Sequence, residues 1–113
     1  MLIRPGERPE VEAPEDDLVM RALVGAADRA GLSLTHVRLA GRHRPLRTLR
    51  STRTYYVLDG SADFVIGDSA PVRAATGDVV VVPRGERYSL AGTLSYIVLN
   101  TPPYVGGDDL YDE

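Results

Sequence analysis

The stretch "GDVVVVPRGERYSL", Gly77 to Leu90, contains four consecutive valines with turn-forming residues on both sides. Branched valine side chains favour the extended backbone of a β-strand. Pro83 has no backbone N–H group, so it suits the point where a strand ends and no further hydrogen bond is donated. Gly77 and Gly85 tolerate the positive φ angles of tight corners. The stretch therefore predicts a short strand between two turns.

Short apolar segments of the same kind continue through most of the chain, at intervals of about 8–12 residues. They are enriched in Val, Ile, Tyr and Thr, which is typical of an all-β sandwich or barrel. The segments are "LSLTHVRLA", "TYYVL", "ADFVIG", "APVRAA", "DVVVVP", "RYSLA" and "LSYIVLN". We expect one hairpin turn at Asp59-Gly60 and another at Thr76 to Asp78.

Residues 17–30 allow two interpretations. The segment "EDDLVMRALVGAADRAGLS" has an acidic start, good helix formers and a glycine near its end, which suit an amphipathic helix. Alternatively, Val19 to Val24 form a strand and "GAADRAG" is the loop that leads to the next strand. Both interpretations stay open at the level of the sequence.

A chain of 113 residues is long enough for one domain with a hydrophobic core and too short for two of ordinary size. We expect a single domain over residues 1–113. It would consist of an N-terminal arm over 1–17, a barrel over 18–100 and an acidic tail over 101–113. The tail is too rich in Pro, Gly and Asp for a central strand, and its carboxylates are expected in solvent.

Composition argues against several classes of partner. The formal net charge of -3 disfavours nucleic acid, whose binding depends on a basic face. No apolar run approaches the ~18 residues of a membrane span, and the acidic N-terminus does not resemble a signal peptide. We expect a cytoplasmic protein. All thirteen basic residues are arginine and no cysteine is present, which excludes Schiff-base lysine and thiolate chemistry.

The glycine-proline framework resembles the second motif of the cupin superfamily, with Gly77, Pro83 and Gly85 on the pattern. The metal-binding His of that motif corresponds to Tyr88. The segment that ends "TYYVLDG" resembles the first motif, and its metal-binding Glu corresponds to Arg53. The paired histidines of that motif fall on Arg47 and Leu49, or on Leu46 and Thr48 if the gap is longer.

The resemblance implies an all-β, single-domain cupin-like double-stranded β-helix, or jelly-roll barrel, that forms a homodimer. Binding a transition metal needs imidazoles and a carboxylate that converge on one cation. The substituted positions supply no such set, so we expect no metal and no cofactor. The histidines, His36 and His43, are more often strand or loop residues than ligands when they occur singly.

Period-two alternation puts Arg53, Tyr55 and Val57 on one face of a strand, which is the barrel interior in a cupin. Guanidinium groups there match an anionic or oxygen-rich small molecule. A buried arginine also needs an acid, for which Glu86 is a candidate. The candidate substrate-binding residues are Arg47, Arg53, Tyr55 and Tyr96. The candidate catalytic residues are Tyr88 as acid or hydrogen-bond donor, and Glu86 or His43 as base.

Three functions fit this pattern. The first is a metal-independent isomerase, epimerase, cyclase or lyase that tailors a biosynthetic intermediate. The second is a noncatalytic binding or accessory protein. The third is a structural dimer whose barrel is filled by side chains.

Overall fold

The computed structural model describes residues 1–112, which form a β-protein with only three short 3₁₀ turns. The helix predicted as one alternative for residues 17–30 does not form; Leu18–Val24 is a strand, and a 3₁₀ turn at Ala26–Asp28 follows. The strands in chain order are β1 (Glu10–Ala13), β2 (Leu18–Val24), β3 (Ser33–Thr48), β4 (Thr52–Ile66), β5 (Val72–Ala75), β6 (Val79–Val82), β7 (Tyr88–Thr101) and β8 (Asp109–Tyr111).

All eight strands belong to one antiparallel sheet in the order β1-β2-β3-β7-β4-β5, with β6 paired to β4 and β8 paired to β3. The long strands β3, β4 and β7 pair along most of their length. β6 pairs with the first part of β4 and β5 pairs with its second part. The long strands therefore run through both layers of a folded sheet, which is the predicted jelly-roll architecture.

Glycines allow the long strands to bend from one layer to the other. Gly60 has φ +85° and lies inside β4, where an added Cβ atom would overlap the carbonyl oxygen of Thr93. Gly92 in β7 faces the same restriction from the carbonyl oxygen of Ser61. The hairpin predicted at Asp59-Gly60 is therefore wrong, because a glycine that permits positive φ serves a bend as well as a turn. The predicted turn between β5 and β6 is confirmed.

The core lies between the two layers and is aromatic at its centre. The ring of Tyr55 contacts those of Phe64, Tyr96 and Tyr88, with centroid distances of 5.2, 5.0 and 6.0 Å. All four side chains are almost fully buried. Large aromatic rings in such edge-on contacts dominate the packing energy of a small core. This cluster fixes the position of the tyrosine hydroxyls described below.

Both ends of the chain add strands to the sheet. β1 pairs with β2, and β8 pairs with β3 through Thr48↔Asp109 and Leu46↔Tyr111. The sheet thus extends beyond residues 18–100. Asp108 is 3% exposed and the side chain of Asp109 is 9% exposed, so the expectation that the tail carboxylates lie in solvent is wrong for these two residues. Asp16 in the N-terminal arm is also buried, at 3% exposure. Within residues 1–112, no helix is long and apolar enough to cross a membrane.

Candidate functional site

A cavity of about 200 Å³ lies between the layers. Strand register arranges much of its wall in rows of side chains, and their polarity falls from one end to the other. The rows are Ser33 with Asn100 and Arg53, then Thr35 with Val98 and Tyr55, then Met20 with Val37 and Tyr96. The cavity therefore offers a polar end and an apolar end to one ligand.

Arg53 is the central cation of the polar end and is only 7% exposed. Its Nε donates to Asn100 Oδ1 at 3.0 Å, Nη1 to Tyr88 Oη at 3.1 Å and Nη2 to Asp109 Oδ1 at 2.8 Å. Three of the five guanidinium N–H groups are thus bonded. Burial disfavours the charge, but Tyr88, Tyr55 and Asp109 outweigh burial and raise the pKa of Arg53. Arg53 therefore stays cationic.

Two tyrosine hydroxyls extend this network. Tyr55 Oη and Tyr88 Oη are 2.5 Å apart, and either can be the donor. Burial raises the pKa of both phenols above the ordinary tyrosine value. Both remain neutral hydroxyls near neutral pH. When Tyr88 donates to Tyr55, the O–H of Tyr55 is left to donate elsewhere.

His43 lines the same cavity and is 7% exposed. Its Nδ1 lies 2.8 Å from the carbonyl oxygen of Arg44, which can only accept, so Nδ1 carries the proton. In the neutral ring, Nε2 then carries the lone pair. Within residues 1–112 Nε2 has no hydrogen-bond partner, and it is not sealed from solvent. The ring of Tyr111 stacks on His43 at a centroid distance of 6.1 Å.

Asp16 anchors the segment that holds His43. Its Oδ1 accepts from the backbone N of Arg44 at 3.0 Å and from Nε at 2.9 Å, and its Oδ2 accepts from Nη2 at 3.1 Å. Burial opposes ionisation of Asp16, but these hydrogen bonds outweigh it and lower the pKa of the carboxyl. Asp16 is therefore ionised at neutral pH. It fixes the backbone whose carbonyl orients His43.

The structure brings together five of the seven candidate residues. Arg53, Tyr55, Tyr96 and His43 line the cavity, and Tyr88 lies directly behind Arg53 and Tyr55.

Arg47 and Glu86 lie outside the cavity and are exposed. A register irregularity between His43 and Leu46 turns Leu46 inward, so Arg47 faces out. Glu86 belongs to the turn between β6 and β7.

Sequence reasoning missed the acid that pairs with Arg53. Asp109 fills this role instead of Glu86, with side-chain exposures of 8% for Arg53 and 9% for Asp109. The tail "GGDDLYDE" shows no strand periodicity that would have placed Asp109 inside. The available signal was that a buried arginine requires a carboxylate and that the tail carries several.

The residues at this site do not fit a metal ion. Among residues 1–112, no group of three or more His, Asp or Glu side chains is arranged to hold one. Asp16 and Asp109 are each bonded to an arginine, and only one histidine lines the cavity. A guanidinium at the centre of the polar end also repels a cation.

A jelly-roll barrel with a cavity between its layers defines a small cupin-like protein, and comparison with solved structures agrees. Pac13, a nucleoside dehydratase from Streptomyces, is 19% identical, with a TM-score of 0.86 over 100% of this chain and 91% of that one. KdgF from Halomonas sp. is 16% identical, with a TM-score of 0.78 over 92% of this chain and 96% of that one.

The polyketide cyclase RemF from Streptomyces resistomycificus is 20% identical, with a TM-score of 0.74 over 96% of this chain and 88% of that one. Further Pac13 structures contain uridine and carry a substitution at a histidine or at a tyrosine. No protein-family model matches the sequence, and no curated protein matches it. The chain therefore has the cupin fold.

Proposed function

We propose that this protein is a metal-independent enzyme that eliminates water from, or isomerises, a polar small molecule held in the cavity. One observation carries the proposal. His43 lines the cavity together with Arg53 and Tyr55, and its Nδ1 is bonded to a backbone carbonyl oxygen. In the neutral imidazole this leaves the lone pair on Nε2, which has no hydrogen-bond partner within residues 1–112. A base and a set of hydrogen-bond donors in the same cavity are what proton-transfer catalysis requires.

In the proposed reaction, Nε2 of His43 accepts a proton from a carbon next to a carbonyl group, and the C–H electron pair forms an enolate. The two N–H groups of Arg53 that have no partner within residues 1–112, together with the hydroxyl of Tyr55, stabilise the enolate oxygen. For elimination, the enolate electrons re-form the carbonyl and a carbon–carbon double bond as the C–O bond breaks. The leaving hydroxide takes the proton from the imidazolium, which regenerates neutral His43. For isomerisation, that proton returns to a different carbon.

Two further points support the assignment. The donor set described above does not suit a metal, so the proposed steps use only side chains of this chain. The Pac13 structures with uridine carry changes at a histidine and at tyrosines, residue types that also meet at this cavity as His43, Tyr55 and Tyr88.

The test uses purified protein in deuterated water with a panel of hydroxyaldehydes and hydroxyketones, including nucleosides whose sugar is oxidised to an aldehyde or ketone. Mass spectrometry measures deuterium uptake and loss of water. We expect His43→Gln to abolish both while ligand binding is retained. His36→Gln is the matched control, since His36 lies on β3 outside the cavity lining and should leave turnover unchanged. Turnover that survives His43→Gln would refute the proposed base.

A noncatalytic binding protein is the second candidate. The ion pair between Arg53 and Asp109 favours it, because the buried cation is neutralised without any ligand. This candidate predicts binding of panel compounds with no deuterium uptake and no loss of water.

A further inference from the structure

The charge lining the cavity is negative, although an arginine lies at its polar end. Within residues 1–112, Arg53 is the single arginine among the lining residues, and the lining also contains three carboxylates, those of Glu15, Asp16 and Asp109. Of these, Asp109 is bonded to Arg53 and Glu15 is exposed at the cavity rim. With neutral His43 the lining has a formal charge of minus two. Arg44, which pairs with Asp16 from outside the lining, reduces this to minus one. Of the two ligand classes expected from the sequence, an anionic or an oxygen-rich small molecule, this charge disfavours the anionic one.

Asp109 already occupies one edge of the Arg53 guanidinium. Its Oδ1 lies 2.8 Å from Nη2, and both side chains are almost excluded from water. Asp109 is also held in place by its strand, since Thr48↔Asp109 is a β3–β8 pair and Leu49 N donates to Asp108 O at 2.7 Å. An incoming carboxylate or phosphate must either displace this strand or lie next to a like charge in a poorly solvated space.

Neighbouring hydroxyl groups match this pair better than an anion does. Each hydroxyl can donate to a carboxylate oxygen of Asp109 and accept from an unbonded N–H of Arg53. A carboxylate or a phosphate dianion can only accept hydrogen bonds. It can therefore accept from Arg53, but it donates nothing to Asp109 and repels its negative charge. At the far end of the cavity, Met20, Val37 and Leu18 provide an apolar wall for a less polar part of the same ligand.

We propose that the ligand is an uncharged molecule with neighbouring hydroxyl groups and an apolar portion, and that Asp109 excludes its phosphorylated or carboxylated analogues. The proposal rests on the cavity assigned in the proposed function and names the class of molecule it takes. Asp109 is in this view a specificity-determining residue.

Calorimetric titration with matched neutral and anionic compounds tests this inference. The pairs are uridine with uridine monophosphate, adenosine with adenosine monophosphate, and phenyl glucoside with phenyl glucuronide. We expect the intact protein to bind at least one neutral member ten-fold or more tightly than its anionic partner. Removal of one hydroxyl, as in deoxyuridine for uridine, should weaken binding about ten-fold.

Asp109→Asn should bring the dissociation constants of the neutral and anionic members of a pair to within about three-fold of each other, because the amide keeps the shape of the side chain and removes its charge. Asp63→Asn is the matched control: Asp63 forms an exposed ion pair with Arg73 outside the cavity and should leave the preference unchanged. Thermal unfolding checks that each variant is folded. If Asp109→Asn does not fold, Glu15→Gln at the cavity wall should still narrow the preference, by a smaller factor.

The outcomes separate this inference from the proposed enzyme. A preference for anions in the intact protein, an unchanged preference in the folded charge variants, or no binding of any neutral member overturns it. Selective binding of neutral compounds without turnover supports it and counts against the enzyme. Loss of water from an anionic compound supports the enzyme and overturns this inference.

Discussion

Replacing Arg53 by Met should strongly destabilise the fold. The substitution keeps an apolar stem and removes the guanidinium, so Asn100, Tyr88 and Asp109 each lose a bonded donor. The carboxylate of Asp109, with a side-chain exposure of 9%, is left as an unpaired buried charge. Breaking a buried ion pair from one side costs about 3–5 kcal/mol. This is a large part of the free energy of unfolding of a whole domain, which is roughly 5–15 kcal/mol.

A double variant isolates the cause of this loss. Arg53→Met combined with Asp109→Leu removes both charges, and an apolar replacement of a buried pair is often close to neutral. We expect the double variant to recover most of the stability lost in the single variant. Arg73→Met serves as the control, because the Arg73–Asp63 pair has side-chain exposures of 65% and 50% and exposed pairs contribute at most about 1 kcal/mol.

Urea denaturation followed by tyrosine fluorescence and circular dichroism measures these differences through the midpoint at constant slope. A loss below about 1 kcal/mol for Arg53→Met would contradict this prediction, because leaving one member of a buried ion pair unpaired costs more than that. A double variant as unstable as Arg53→Met would show that the unpaired Asp109 is not the cause.

Four other outcomes are expected. The pKa of Asp16 is lower in the folded state, so the ionised carboxylate stabilises the fold relative to Asp16→Asn. This stabilisation is fully present above the unfolded pKa of 3.8 and is lost as pH falls through the folded pKa. Urea midpoints of both proteins at a series of acidic pH values measure the difference. Burial raises the pKa of Tyr55, Tyr88 and Tyr96 in the folded state. Their contribution to the free energy of unfolding is therefore complete below the ordinary tyrosine pKa of 10.0 and declines as pH rises above it. The tyrosinate absorbance of these three residues should appear only as the protein unfolds. Gly60→Ala should cost about 1–3 kcal/mol because φ is positive and Cβ would overlap Thr93, whereas Gly106→Ala, with open space around it, should cost much less in thermal unfolding. The homodimer implied by the cupin resemblance predicts twice the 12.3 kDa chain mass in sedimentation equilibrium, and a single monomeric species would contradict it.

The framework of the barrel follows from local sequence. Valine runs, Pro83 and the positive-φ glycines act through local backbone preferences, which is why the strand β6 and its turns follow from a short stretch of residues. Local geometry also places Arg53 and Tyr55 on the same inward-facing side of their strand, since side chains alternate between the two faces along any strand.

The contacts that these side chains make depend on the folded chain. Asp109 pairs with Arg53 across 56 residues of sequence, and Asp16 pairs with Arg44 across 28. Such contacts depend on strand register and on where a long strand bends, and neither property is encoded in a local pattern. For the same reason the hairpin predicted at Gly60 is wrong, since a glycine with positive φ permits a bend as readily as a hairpin. The prediction that Arg47 lies in the cavity is wrong because one register irregularity in β3 turns its side chain outward. The scaffold thus follows from short-range preferences, whereas the charge inside the cavity follows from contacts between residues far apart in the chain.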